Sequence, residues 1–142
     1  MIDKNKYEII LAVTGGRKLQ LTDIGSEELM YYITKFFFTK PILLIHGDAK
    51  GIDTSCNKVF KALKKTAEEF DWLVNIEPFP ANWDRYQLRA GFIRNRVMAE
   101  LATHCVVFKG NKGTMHMYGQ CQQENVKIID WRNKFEYVEL IQ

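Results

Sequence analysis

The sequence has little of what marks extracellular, membrane-embedded or metal-binding proteins. It contains only three cysteines among 142 residues, Cys56, Cys105 and Cys121, and no Cys-x-x-Cys pair. An odd number of isolated cysteines in apolar surroundings is typical of reduced core thiols, not of disulfides or zinc ligands. The three histidines lack metal-ligand spacing as well. We therefore expect no bound metal and a reducing, cytoplasmic location.

Long apolar runs and strong charge are absent too. No run approaches the length of a membrane span, and the polar residues 1–6 do not read as a secretory leader. The net charge of +3 is small, so we expect no membrane partner and regard a nucleic-acid partner as disfavoured. With 46% hydrophobic and 26% charged residues, the chain has the composition of an ordinary globular protein. Its length predicts a single domain over residues 1–142.

Short apolar runs alternate with amphipathic segments along most of the chain. The runs predict strands buried on both faces of a sheet, at residues 9–13, 42–45, 72–76, 105–108 and 126–130, with a weaker edge strand at 135–140. Helical spacing predicts helices at residues 26–38, from 52 onward, at 92–102, and from about 114 to 125. This alternation predicts an α/β fold with a mostly parallel sheet of five or more strands, covered by helices on both sides.

Some assignments are specific enough to be checked residue by residue. Ser26 is the expected N-cap of the first helix. The helix after Gly51 has the clearest apolar stripe, formed by Ile52, Cys56, Val59, Phe60 and Leu63. For the helix at 92–102 the expected buried stripe is Ile93, Val97 and Leu101. Residues 79–91 show no periodicity, and such a long loop is often functional.

Three predicted strands end in glycine-containing turns before a helix or polar loop. The carboxyl ends of parallel strands meet at one edge of a sheet, where helix N-termini favour anions. We therefore expect these turns to hold a phosphate through Thr14, Gly15, Gly16, Arg17, Gly47, Ala49, Lys50, Gly51, Gly110, Asn111, Lys112, Gly113 and Thr114. The alternative is that the glycines only make tight turns. No P-loop and no G-x-G-x-x-G fingerprint occurs, which disfavours triphosphate hydrolysis and ordinary dinucleotide dehydrogenation.

Five further side chains carry candidate chemistry. Asp53 lies in the first turn of a predicted helix, where it can accept from a ribose hydroxyl or only stabilise the helix dipole. Arg94 and Asn95 lie near the start of another helix and can reach the same cleft. Trp83 can stack on a base or only pin the long loop. If the protein is an enzyme, Asp53, Asp84 and Arg94 are the catalytic candidates, since the two carboxylates can meet in space.

With these residues in place, the chain resembles the YspA-like branch of the SLOG superfamily. These are Rossmann-type domains related to the Lonely Guy phosphoribohydrolases, to lysine decarboxylase-like proteins and to DprA. The matching blocks follow in order over nearly the whole chain: VTGGR at 13–17, HGDAKGID at 46–53, FPANWDRY at 79–86, AGFIRNRVM at 90–98 and FKGNKGT at 108–114. The resemblance implies a Rossmann-like three-layer sandwich.

The resemblance also implies a function. The chain is expected to bind, and so sense or sequester, a nucleotide-derived ligand such as a nucleoside phosphate, ADP-ribose or another NAD-derived molecule. No cofactor is expected to be required, and we expect a homo-oligomer. A nucleotide N-glycosidase or phosphoribohydrolase and a single-stranded DNA binder remain alternatives. Where the phosphoribohydrolases carry a glutamate pair after Gly-Thr, this chain has Met115, His116 and Met117, which disfavours hydrolysis.

Overall fold

The computed structural model describes residues 2–140, in which a five-stranded parallel sheet lies between two layers of helices. The strands are β1 Ile9–Thr14, β2 Leu19–Leu21, β3 Ile42–His46, β4 Val74–Pro78, β5 His104–Val107, β6 Lys127–Asp130 and β7 Tyr137–Glu139. The helices are α1 Asp23–Phe37, α2 Ile52–Ala67, α3 Trp83–Tyr86, α4 Ala90–Leu101 and α5 Lys112–Gln123. None of the helices between residues 2 and 140 combines the length and apolar character that crossing a membrane requires.

The order of strands in the large sheet is β4-β3-β1-β5-β6, and every neighbouring pair is parallel. The chain builds one half outward from β1 through β3 to β4, and then returns to place β5 and β6 on the other side of β1. Strand order therefore reverses between β1 and β5, the place where ligands bind in open α/β sheets. The predicted α/β class and the Rossmann-like three-layer sandwich are confirmed.

The alternation of β1 shows how the three layers form. Ile9, Leu11 and Val13 pack in the core beneath α1 and α2. Ile10 and Ala12 pack in the core beneath α4 and α5. Because both faces of the strand are covered, a run of unbroken apolar residues is what this position requires. The apolar stripe predicted for α2 is buried as expected.

A second, two-stranded sheet was not predicted. β2 pairs antiparallel with β7, so that Leu21 lies opposite Tyr137. The tail is a strand, as expected, but it joins β2 and not the edge of the large sheet. β2 has only three residues and a partner at the far end of the chain, so no local pattern reveals it.

Several element starts differ from their predicted positions by one to three residues, and for two of them the structure shows the reason. The expected N-cap at Ser26 is wrong, since Thr22 caps α1 by accepting from the Gly25 N–H at 3.1 Å. The third strand begins at Val74, two residues late, because Trp72 packs in the core and donates its indole N–H to the Lys40 carbonyl at 2.7 Å.

The expected long loop at residues 79–91 is also partly wrong. It contains the short helix α3 and a 3-10 turn, Gln87–Arg89, and α4 already begins at Ala90. Asn82 starts this structure by capping α3, since its side chain accepts from the Arg85 N–H at 3.1 Å. A one-turn helix is too short to show periodicity in a sequence.

The buried stripe predicted for α4 is wrong. Val97 is 44% exposed, whereas the buried side of the helix consists of Ala90, Gly91, Asn95, Met98 and Ala99. Most of these residues are small, which lets the helix lie close to the sheet and to α5. The stripe of Ile93, Val97 and Leu101 consequently lies toward the surface.

Candidate functional site

A cavity of about 310 Å³ opens at the carboxyl edge of the sheet, where strand order reverses. All three predicted turns border it, as the sequence pattern required. The predicted contact residues that line it are Thr14, Gly15, Arg17, Gly47, Ala49, Asp53, Trp83, Arg94, Asn95, Asn111, Lys112, Gly113 and Thr114. Gly16, Lys50, Gly51 and Gly110 do not line it.

The three glycines outside the lining hold the turns against one another. The Gly16 N–H donates to the Lys109 carbonyl at 2.9 Å, and the Gly16 carbonyl accepts from the Ile52 N–H at 3.1 Å. A Cβ at Gly110 would meet the Gly16 nitrogen at 2.8 Å, and one at Gly51 would overlap the Gly16 carbonyl. Glycine is needed at these positions for close packing, and their predicted contact with a ligand stays a prediction.

The second turn already contains an anion of its own. Asp53 is buried, and its Oδ2 accepts from the Gly47 N–H at 3.1 Å and from the Ala49 N–H at 3.2 Å. Burial raises the pKa of Asp53, while the Ala49 N–H and the positive charge of Arg94 act in the opposite direction. The sequence pattern had suggested that these two amides bind a phosphate. They are not free to do so, because both donate to Asp53.

Arg94 closes the floor of the cavity between two strand ends. Its Nη1 donates to the Gly47 carbonyl after β3 and to the Phe79 carbonyl after β4, the latter at 3.3 Å. Its Nε donates to the Asn95 Oδ1 at 2.9 Å. Burial lowers the pKa of Arg94, and the nearby Arg17 charge lowers it further, whereas the Asp53 charge opposes both.

Arg17 and Arg94 converge on one point in the cavity. A Cβ at Gly91 would lie 3.6 Å from Arg94 Nη2 and 3.9 Å from Arg17 Nη2. Within residues 2–140, no carboxylate oxygen lies within 4.0 Å of either guanidinium. Arg17 also lies over the ring of Trp83, with 5.0 Å from its Cζ to the ring centroid. Asp53 and Asp48 act on Arg94 from farther away, but neither forms an ion pair with it, and two neighbouring guanidinium groups without a direct carboxylate partner favour the binding of an anion between them.

The start of α5 adds a second group of donors. Asn111 precedes the helix without a side-chain cap, so the first amides of the helix have no such partner. Lys112, Gly113 and Thr114 follow and line the cavity. A Cβ at Gly113 would have no atom within 4 Å, so the space beside this turn is open.

Asn95 connects Arg94 to the first turn of α5 through hydrogen bonds. Its Nδ2 donates to the Gly113 carbonyl at 3.2 Å and lies 3.3 Å from His116 Nδ1, while its Oδ1 accepts from Arg94. The side chain is buried with both polar groups used inside the protein. Asn95 therefore positions Arg94 and Gly113, while its predicted contact with a ligand stays a prediction.

The structure does not bring the two candidate carboxylates together. Asp84 is exposed on α3 and does not line the cavity, which leaves Asp53 as the carboxylate among the described lining residues. The apolar part of the lining was missed by sequence reasoning. It consists of Val13, Leu88, Phe92, Met98 and Met117. Of these, only Met98 could have been found from the sequence, because it lies one helical turn after Arg94 and so shares a helix face with it.

Fold and cavity together define the class of the protein, a Rossmann-like α/β protein with a cationic cavity at the carboxyl edge of its sheet. Comparison with protein-family models and with curated proteins found no match to this chain.

Proposed function

We propose that this protein binds a nucleotide-derived ligand through a phosphate group, in the manner of the SLOG superfamily that its sequence blocks resemble. The observation that carries the proposal is the convergence of Arg17 and Arg94 on one point of the cavity, with no carboxylate within 4.0 Å of either in the described chain. Placing two cations together is unfavourable unless an anion joins them. Phosphate, with its fork-compatible oxygens, matches two guanidinium groups well.

The remaining lining fits the sugar and base of such a ligand. The cavity, at about 310 Å³, is at the small end of the usual range for small-molecule sites. Asp53 uses its Oδ2 for the two backbone amides, so its other oxygen can accept from a sugar hydroxyl. Trp83 is 44% exposed beside the cavity, which suits stacking on a base. Nucleoside monophosphates and ADP-ribose-type molecules share these three parts.

Binding is favoured over hydrolysis because too few carboxylates line the cavity. Cleavage of a glycosidic bond by an acid and base pair needs two carboxyl groups flanking the bond. Asp53 lines the cavity and Asp84 does not. An N-glycosidase would have to work with Asp53 and Arg94 alone, and it remains the alternative to be tested. Single-stranded DNA binding, the third candidate, predicts a steep dependence of affinity on salt.

One experiment separates these functions. The pure protein is incubated with AMP, NAD, ADP-ribose and a single-stranded oligonucleotide, while melting temperature and released free base are recorded. Stabilisation by a nucleotide that is recovered unchanged supports sensing or sequestration. Release of free base selects the glycosidase. No stabilisation by any of the small ligands rejects the proposal.

Arg17→Gln tests the contact that carries the proposal. Arg85 is a matched control, because it also lies over an aromatic ring, Tyr86, but does not line the cavity. We expect Arg17→Gln to weaken binding of the stabilising nucleotide by at least about tenfold, the loss of one charge-assisted hydrogen bond. Arg85→Gln should bind as the wild type does. Equal affinities of the two variants in calorimetric titration would contradict the role of Arg17.

A further inference from the structure

Residues 83–89 border the cavity without being packed into the protein. This stretch, which we call the rim segment, consists of α3 and the 3-10 turn that follows it, and neither element contains a buried residue. Leu88 is 92% exposed although it lines the cavity. Directly after the segment, Ala90 is buried at the start of α4. A segment with few buried contacts can change its conformation locally while the rest of the fold stays intact.

The backbone of the rim segment is strained at Gln87. Its φ of +52° and ψ of −130° lie in a region that glycine tolerates and that residues with a Cβ rarely adopt. Gln87 is exposed and does not line the cavity, so no buried contact of its side chain explains this conformation. Strained residues of this kind cluster at ligand clamps and switch regions, where the strain is part of the mechanism.

The rim segment is also connected to the arginine pair of the cavity. The ring of Trp83, the first residue of the segment, lies against the Arg17 guanidinium, with 5.0 Å between the ring centroid and Cζ. A Cβ at Gly91 would lie 3.4 Å from Trp83 Cη2 and 3.9 Å from Arg17 Nη2. The position of the segment therefore depends on Arg17, the residue that would engage an anion in the cavity.

We propose that the rim segment is a lid that closes over the ligand and brings Leu88 into contact with its sugar or base. The lid rests on the proposed function, because it concerns how the same cavity holds its ligand. On closure Leu88 leaves the solvent and packs beside Phe92, which is itself 40% exposed at the cavity, and Gln87 takes an ordinary backbone conformation. The closed lid excludes water, which strengthens the attraction between the arginines and a phosphate.

Thiol labelling measures the closure directly. The three native cysteines are buried, so a maleimide reaches the introduced thiol of Leu88→Cys before any of them. We expect saturating AMP or ADP-ribose to slow this labelling at least about tenfold. Ile24→Cys is the control, because Ile24 is 68% exposed on α1 and does not line the cavity, and its labelling rate should not change.

The melting temperature records binding separately from closure. If neither AMP nor ADP-ribose raises it, the proposed function fails and the lid fails with it. If a nucleotide raises the melting temperature while Leu88→Cys is labelled as fast as before, binding stands and the lid alone is overturned.

Gln87→Gly separates closure from simple shielding of residue 88 by the ligand. Gln87 does not line the cavity, so its substitution removes no ligand contact. Glycine relieves the strain of the conformation seen here and so reduces the advantage of closing, and we expect affinity for the nucleotide to fall about tenfold. Asp71→Gly is the control, since Asp71 also has a positive φ, +51°, and lies outside the cavity lining. Equal affinities of Gln87→Gly and the wild type would overturn the lid.

Discussion

Asp53 determines which of the glycine turns can accept a phosphate. Its carboxylate takes the Gly47 and Ala49 amides that a glycine turn before a helix would otherwise offer to a ligand. The amide of Gly16 is used by Lys109. The turn before α5 is the one whose N-cap residue, Asn111, makes no side-chain cap. The anion position that we propose for the cavity therefore lies between this turn and the arginine pair.

Gly113→Val tests that position directly. Gly113 lines the cavity, and a Cβ there would have no atom within 4 Å, so we expect the fold to persist while affinity for a phosphate-bearing ligand falls at least about tenfold. Gly119→Val is the control, because it lies on the same helix with equally open surroundings and does not line the cavity. Isothermal titration of both variants measures the difference. Unaltered affinity in Gly113→Val would remove the α5 turn from the site.

Gly51→Ala tests the packing role assigned to the other glycines. Gly51 has φ of +81°, and a Cβ there would overlap the Gly16 carbonyl. We expect a loss of roughly 2–4 kcal/mol in the free energy of unfolding, from backbone strain and overpacking together. Gly119→Ala should have the opposite sign, a gain of up to about 1 kcal/mol, since alanine favours a helix interior. Urea denaturation compares them, and a neutral Gly51→Ala would refute the close-packing argument.

Among the helices and strands, the sequence correctly predicted those features that depend on residues close together in the chain. The large sheet followed from apolar runs, because strands covered on both faces need no alternation. The α4 face did not follow, since a buried asparagine satisfied by Arg94, Gly113 and His116 looks polar in sequence. Likewise β2 depends on pairing with β7, a contact between chain ends. The edge where the site lies was therefore predictable, while the roles of its residues depended on partners distant in sequence.

The strand β7 supports the site through one hydroxyl group. Tyr137 accepts from the Lys109 N–H at 3.1 Å and donates to the Trp131 carbonyl at 3.0 Å, so it fixes the start of the turn before α5. We expect Tyr137→Phe to lower the free energy of unfolding by about 1 kcal/mol and to weaken ligand binding, because the turn loses its anchor. Tyr31→Phe, at an exposed tyrosine of α1, should change neither. Chemical denaturation and titration of both variants provide the comparison, and unchanged values for Tyr137→Phe would show that the turn holds its shape alone.

For the whole molecule, the site lies beside a groove on the outer surface between α4 and α5. Phe92 borders both the cavity and the groove between α4 and α5. The cavity is built at the edge where the two halves of the sheet meet, so any change that loosens one half also affects the site. Global stability and ligand binding should therefore be measured on each variant together.

Stability of the whole chain should also depend on pH through His104. Burial lowers the pKa of His104, and the charges of Lys127 and Lys40 lower it further. Between this depressed value and the ordinary value of about 6.5, the unfolded chain binds more protons than the folded one, so stability is full above about pH 6.5 and falls as the pH decreases. His104→Gln removes this contribution.

We therefore expect the wild type to lose more stability than His104→Gln between about pH 7.5 and about pH 5.5, on either side of the ordinary histidine value. His116, whose pKa burial also lowers, and Asp53, whose pKa burial raises, titrate in both proteins. Their contributions cancel in the difference between the two curves, which leaves His104 alone. Urea midpoints across this range measure the effect. Parallel curves would contradict this prediction, since they would mean that His104 accepts a proton in the folded state as readily as in the unfolded one. The packing of His104 against the Phe37 ring would then not disfavour its protonated form.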